Sequence, residues 1–235
     1  MTDVLVVQNT PTGGPGRVGE VLAERGLGTE VVHAYEGQPV PRKVEHGAVV
    51  VLGGGYLPDE DARAPWLADL RALAVDALDT GAPLLGICLG GQLLAHVAGG
   101  AVAGRSGEPE VGSTPLAVRP EAEGDPLFGA LPSRVTAVEN HVDRITALPP
   151  GAVWLMESAA CPYQAFRVGE RAWGVQFHPE VPPSRLRGWD LDRLAGLGLD
   201  HEALCARAEA DDAVAGPLWT SLLHRFTTLA PPTAG

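Results

Sequence analysis

Cysteine is scarce in this 235-residue chain, which carries only Cys88, Cys161 and Cys205. They are widely spaced, odd in number and free of any C-x-x-C pair, so neither a disulfide framework nor a zinc site is expected. Seven histidines include no H-x-H or H-E-x-x-H, which gives a metal no evident home, and no cofactor is expected. Basic residues are also few: 17 Lys and Arg against 29 Asp and Glu leave a net charge of -12. That balance speaks against nucleic acid and anionic membrane as partners, because phosphate binding needs clustered cations. No apolar run reaches the ~18 residues of a membrane span, and Met1 to Val7 carries no basic leader ahead of an apolar stretch. The expected setting is cytoplasmic, with small molecules or other proteins as partners.

What is present is 45% apolar residues, enough for one large core. A single domain over 1–235 is expected, with a core of about 3–181 and a helical C-terminal extension of about 183–228. The central stretch is Pro83-Leu84-Leu85-Gly86-Ile87-Cys88-Leu89-Gly90-Gly91-Gln92-Leu93-Leu94-Ala95. It reads as strand, sharp turn and helix, with Cys88 at the turn. Glycines two before and two after the cysteine are the spacing of a nucleophile elbow, where strand and helix pack closely around a strained residue. A thiol at a helix N-terminus is shifted toward the nucleophilic thiolate. A buried cysteine that only fills space is the alternative, and it needs no such glycines.

In chain order, Val4–Val7 reads as a buried strand, Gly16–Gly26 as a helix and Glu30–Tyr35 as a second strand. Gly14-Pro15-Gly16-Arg17-Val18-Gly19 fits G-x-G-x-x-G, with Glu36 placed as a ribose ligand. A dinucleotide turn is tight against its strand, however, and here a proline-containing loop intervenes, so a surface loop is the better account. Gly47–Leu52 is a strand buried on both faces, ending in Gly53-Gly54-Gly55. Glycines at that edge expose backbone N–H groups, which with the N–H of Leu89 suit an oxyanion hole. Pro65–Asp79 has helical spacing of its leucines and Gly81 just beyond it. This alternation predicts an α/β fold with a doubly wound, mostly parallel sheet. After Gly100, short runs at 114–118, 134–139, 153–157, 163–168 and 171–177 suggest antiparallel additions. Residues 183–226 read as helical, with Leu191, Leu194, Leu197, Leu204, Leu218, Leu222 and Phe226 as core positions and Cys205 as packing.

The last strand delivers His178-Pro179-Glu180-Val181 at its end. A histidine at a strand mouth can deprotonate Cys88, and a carboxylate two residues later can orient its ring. Two other histidines compete for the role. His96, two turns past Cys88, points away from the mouth, and His141, in Glu139-Asn140-His141-Val142-Asp143-Arg144, suits a rim that meets substrate.

Gly86-Ile87-Cys88-Leu89-Gly90-Gly91-Gln92 together with Val175-Gln176-Phe177-His178-Pro179-Glu180-Val181 resembles the class I (triad) glutamine amidotransferases over roughly residues 3–181. The nearest likeness is to stand-alone members named after the amidotransferase domain of GMP synthase. His141-Val142-Asp143 looks like that family's His-Gly-Asp segment, and Cys161-Pro162-Tyr163-Gln164-Ala165 also looks like the subgroup. The resemblance implies a flavodoxin-like core and hydrolysis of the glutamine side-chain amide through a cysteine thioester, releasing ammonia. It casts Cys88 as nucleophile, His178 as acid and base, and Glu180 as the ring's partner. Gly54, Gly55 and Leu89 would hold the oxyanion, while Gln92, His141 and Asp143 would border the substrate.

Three departures stand out: Tyr56 follows the glycines where relatives have Gly-Gly-Pro, Val142 replaces a glycine, and Gly112-Ser113 lacks an aromatic residue. The first bears on the geometry of the oxyanion hole; the other two segments border the substrate in relatives and point to an acyl donor other than free glutamine, such as a related γ-glutamyl amide. The chain also contains no phosphate-gripping Gly-x-x-x-x-Gly-Lys loop and no synthetase segment. A free-standing hydrolase is therefore expected, with an ammonia-supplying subunit that needs a separate synthetase, or a non-catalytic binding module, as alternatives.

Overall fold

The computed structural model describes residues 3–230. The first half alternates strand and helix: β1 (Val4–Gln8), α1 (Arg17–Glu24), β2 (Thr29–His33), β3 (Ala48–Val51), α2 (Leu67–Thr80), β4 (Leu84–Ile87) and α3 (Leu89–Val97). The second half brings β5 (Ala101–Ala103), β6 (Glu110–Val118), β7 (Arg134–His141), β8 (Arg144–Ala147), β9 (Val153–Glu157), β10 (Ala165–Val168) and β11 (Ala172–Val175). Two further helices, α4 (Leu191–Gly196) and α5 (His201–Thr227), close the described chain.

Nine strands form one sheet in the order β2-β1-β3-β4-β11-β10-β9-β6-β7, and β5 pairs with β8 in a separate two-stranded sheet. The first five are parallel neighbours and the remaining pairings are antiparallel. Alternation along β1 shows why the parallel strands read as unbroken apolar runs. Val4 and Val6 join a core with Val21 and Leu22 of α1 and Trp219 and Phe226 of α5. Leu5 and Val7 join another, on the opposite face, with Leu70 and Leu73 of α2 and Leu93 and Leu94 of α3.

Local chemistry explains the helix ends. Gly81 closes α2 in the left-handed region at φ 69 and its N–H reaches the Ala77 carbonyl. Asp190 and Asp200 cap α4 and α5, the first accepting the Arg193 N–H and the second those of Glu202 and Ala203. Helix α5 packs its buried Trp219, Leu222, Leu223 and Phe226 on the sheet, and Trp219 Nε1 donates to the Thr136 carbonyl of β7 over 2.9 Å.

Several expectations need correction. Leu191 and Leu197, read as core, are 59% and 40% exposed, because α4 is only six residues long and buries only Leu194. Ala34–Glu36 curls into a 3-10 turn instead of extending β2. The pairing of β5 with β8 carries no local signal in the sequence, since 40 residues separate these short strands.

Candidate active site

Cys88 sits between β4 and α3 with φ 51 and ψ -107, and it and Arg105 alone among the described non-glycine residues have positive φ. Such a conformation costs on the order of 1–3 kcal/mol and persists only where its surroundings enforce it. The glycines supply that enforcement by removing volume. A Cβ at Gly86 would lie 2.3 Å from the Gly90 carbonyl oxygen, one at Gly90 2.2 Å from that of Val51, and one at Gly91 2.6 Å from that of Val175. Helix α3 is thus pressed onto β3, β4 and β11 at distances only glycine permits. The Cys88 N–H donates to Val175 O over 2.8 Å, and the thiol is buried at 6% exposure.

β11 lies parallel to β4 with Val175 opposite Ile87, so the chain leaves both strands at the same edge. His178 follows three residues later, its N–H donating to Val138 O of β7 over 2.8 Å. Its Nδ1 meets Glu180 Oε1 at 2.8 Å, which leaves the other ring nitrogen for the thiol. Imidazole and sulfur flank the same glycine: a Cβ on Gly53 would come within 2.9 Å of His178 Cε1 and 3.4 Å of Cys88 Cβ. Burial disfavours the charged ring, but the Glu180 charge and the contacts with Cys88 and Glu180 outweigh it and hold His178 well above its ordinary value. The ring is thereby held toward its charged form.

The strand-end glycines sit beside this pair. A Cβ on Gly54 would meet Leu89 Cδ2 at 2.8 Å, so Gly54 and the first residue of α3 adjoin, whereas Gly55 is exposed with nothing within 4 Å. Leu89, Gly90 and Gly91 precede the first N–H that the α3 ladder uses, that of Gln92 onto Cys88 O. Asn9, fully buried, fastens the segment: its Nδ2 donates to Leu52 O over 2.8 Å and its Oδ1 accepts from Trp66 Nε1 over 3.0 Å. Tyr56, which follows the three glycines, packs edge-on against Trp66.

Gln92 is buried under the thiol, and its Nε2 donates to Asp143 O and to Gln176 Oε1, each over 3.1 Å. Gln176 Nε2 in turn reaches Cys88 Sγ at 3.7 Å. Asp143 turns its carboxylate away to accept the Arg105 N–H over 2.8 Å. His141 is not on a rim: it is 5% exposed, with Nε2 against Glu110 and Glu139. His96 is exposed and lines a separate surface cleft with Arg42, Lys43 and Arg71.

The Gly14–Gly19 segment also has an unforeseen place. Gly16 has φ 47, and a Cβ there would fall 2.1 Å from Glu180 O, so the loop packs on the backbone of the His-Pro-Glu turn where a dinucleotide reading would need open space. Glu36 is exposed in the 3-10 turn. Arg17 fixes that turn through its N–H on Glu180 O at 2.9 Å and Nη1 on Val181 O at 2.7 Å. The same guanidinium grips Asp212 of α5 at 2.6 and 2.7 Å. Sequence reasoning missed Arg17, Asn9 and Gln176; of these only Gln176, a lone polar residue in an apolar strand, carried a local signal.

Residues 17–188 match the family model for glutamine amidotransferase class-I. Among curated proteins, GMP synthase [glutamine-hydrolyzing] from Thermomicrobium roseum is 41% identical over 136 residues, covering 56% of this chain and 23% of the relative. Its counterpart from Aeropyrum pernix is 36% identical over 160 residues, covering 68% of this chain and 29% of the relative. The matches thus span less than a third of those proteins. Among solved structures, a glutamine amidotransferase from Thermotoga maritima superposes with a TM-score of 0.87 at 28% identity, over 96% of this chain and 98% of that one. One from Methylobacillus flagellatus gives 0.86 at 22% identity, a likeness of fold. With the family model covering well over half of its length and a cysteine elbow facing a strand-end histidine, this chain belongs to the class-I glutamine amidotransferases.

Proposed function

We propose that this chain hydrolyses the side-chain amide of glutamine, or a related γ-glutamyl amide, through a thioester on Cys88. The carrying observation is the convergence of Cys88 and His178 on Gly53, with Glu180 on the far side of the ring. The Cys88 sulfur attacks the amide carbon and its proton resides on His178 Nε2. The carbonyl oxygen, now negative, takes N–H donors from Gly54 and Leu89, with Gly55 at the solvent edge. His178 then protonates the leaving nitrogen, and ammonia or an amine departs. Water, deprotonated by the same ring, attacks the thioester and returns the thiol. Glu180 keeps Nδ1 protonated, so that Nε2 is the working nitrogen. Gln92 and the Asp143 segment form the wall nearest the substrate's amino-acid end.

Three features support this as a free-standing activity in one domain. A neighbour from Thermotoga maritima matches over nearly its whole length, α5 is tied to the site through Arg17 and Asp212, and all three triad residues are present. Three free cysteines and the lack of any helix long and apolar enough to cross a membrane, among the described residues, suit a cytoplasmic setting. A second reading, an ammonia source for a separate synthetase, draws on the limited share of the GMP synthases that the chain spans. The test incubates the chain and its Cys88→Ala variant with glutamine and a panel of γ-glutamyl amides and measures released ammonia or amine. Turnover that the variant loses supports the hydrolase. Covalent labelling of Cys88 by a glutamine-mimicking electrophile without turnover supports the synthetase-dependent form. Absence of both leaves a non-catalytic module and overturns the proposal.

A further inference from the structure

Behind the thiol lies a buried polar cluster to which the hydrolysis just described gives no task. Glu110 on β6, Glu139 and His141 on β7, and Gln164 just before β10 are each at most 6% exposed. His141 Nδ1 stands 3.0 Å from Asp143 O, a group that can only accept, so that nitrogen carries a hydrogen. Its Nε2 therefore points its lone pair, in the neutral ring, at carboxylate oxygens: Glu110 Oε2 at 3.1 Å and Glu139 Oε2 at 3.4 Å. Gln164 Nε2 donates to Glu110 Oε2 over 2.8 Å, while Gln164 Oε1 and both Glu139 oxygens are without a hydrogen-bond partner. Acceptors face acceptors in a place sealed from water, the most expensive arrangement for buried polar groups. Such contacts are relieved by protons.

We propose that Glu139 is a neutral carboxylic acid in the working enzyme, its proton held in the cluster with His141 and Glu110, and that this neutrality leaves the His178 ring to Glu180 and Cys88. Were Glu139 ionised, its charge would oppose the thiolate and compete with Glu180 for the imidazolium. The inference rests on the reading of Cys88 and His178 as the reacting pair. Burial, then the Glu110 charge, pushes the Glu139 carboxyl well above the usual carboxylate range; Cys88 pushes the same way, and His178 and Gln164 oppose. These groups face it from β6, the elbow, the end of β11 and the start of β10, with His141 on its own strand. Cys161, raised to about 12 by burial and then by Glu110 and Glu139, adds no charge.

A cation is the competing way to reconcile these groups, since donor atoms of Glu110, His141 and Cys161 lie within 4.8 Å of one another. Zinc ligands at about 2.0–2.3 Å from the ion stand about 3.3–3.8 Å apart in a tetrahedron. The 3.1 Å separation of Nε2 and Glu110 Oε2 falls below that span.

Infrared spectra of the whole chain in D2O at about pH 7, where ordinary carboxyls are ionised, read the proton directly. The wild type is expected to show the C=O stretch of a protonated carboxyl and Glu139→Gln to lack it. Glu139→Gln is also expected to keep kcat/KM within about twofold near neutrality and to lose an alkaline fall seen in the wild type. No such band in the wild type, a band that survives in Glu139→Gln, or one equivalent of bound metal in the purified chain would each overturn the proposal. So would a fall of more than about tenfold in kcat/KM for a Glu139→Gln that melts like the wild type. Should that variant not fold, the wild-type spectrum decides alone. The infrared outcome needs no turnover, so failure of the hydrolase reading and failure of this one are separable.

Discussion

Gly90→Ala is the sharpest probe of the elbow. The added methyl would lie 2.2 Å from Val51 O, 2.9 Å from Val51 C and 3.0 Å from Val51 Cβ, whereas real Cβ contacts essentially never fall under 3.0 Å. Helix and strand must therefore part by about 0.8 Å. The obstacle is backbone of β3, whose four residues are all buried, so no flexible side chain can yield. Overpacking of this kind costs about 1–3 kcal/mol, which for a chain of this size lowers Tm by about 2–12 °C. The chemical effect exceeds the thermal one, because Cys88 and the Leu89 N–H ride on the displaced turn while His178 arrives on β11. Misplacement approaching 1 Å in a reacting pair costs about 100-fold in rate. The assay pairs a thermal melt with kcat/KM for amide hydrolysis, with Gly188→Ala, where a Cβ meets nothing within 4 Å, as control. Retention of wild-type Tm and of activity within about twofold in Gly90→Ala would refute the claim that close packing shapes this turn.

Three further outcomes are expected. Arg17→Ala removes a 7%-exposed guanidinium that holds Val181 O and Asp212, and should cost about 2 kcal/mol by calorimetry and lower kcat more than it raises KM. For His178, a raised folded value means its pairing with Glu180 contributes fully below the ordinary 6.5 and is lost as pH climbs through the folded value. The Tm gap between wild type and Glu180→Gln should accordingly be widest at about pH 6 and narrow as pH rises; a gap that widens instead contradicts the assignment. Gly54→Ala should reduce kcat by displacing Leu89, whose Cδ2 its Cβ would meet at 2.8 Å, whereas Gly55→Ala, which faces open space, should change it less than about threefold. Equal losses in the two would remove the distinction between an inner and an outer donor.

The sequence revealed most where the physics is local. Glycines two before and two after Cys88 report a contact between adjoining elements, and His178 and Glu180 lie two residues apart, so their spacing carries their pairing. Apolar runs such as Val49–Leu52 announced strands buried on both faces. What stayed hidden depends on distant segments meeting. Arg17 and Asp212 are 195 residues apart, and Glu110, His141 and Gln164 come together only because β6, β7 and the start of β10 fold to one place. His141 misled because a polar break after a strand looks like a surface edge, while its buried partners come from elsewhere in the chain. Leu191 and Leu197 misled through helical spacing over a segment too short to present a face to the sheet.

Strand β11 is the seam at which the parallel half of the sheet becomes antiparallel, and it is paired on both sides. The alignment of Val175 with Ile87 is therefore the molecular ruler that sets how far the imidazole stands from the sulfur. Extra residues in the connection after β5, where the Arg105 N–H meets Asp143, leave that ruler untouched, so that loop is free to lengthen and reshape the entrance. Deleting one residue between Ala172 and Phe177 would draw the histidine back by about 3.3 Å and turn alternate side chains to the wrong face. The loop after β5 can thus diversify while the reacting pair stays in step.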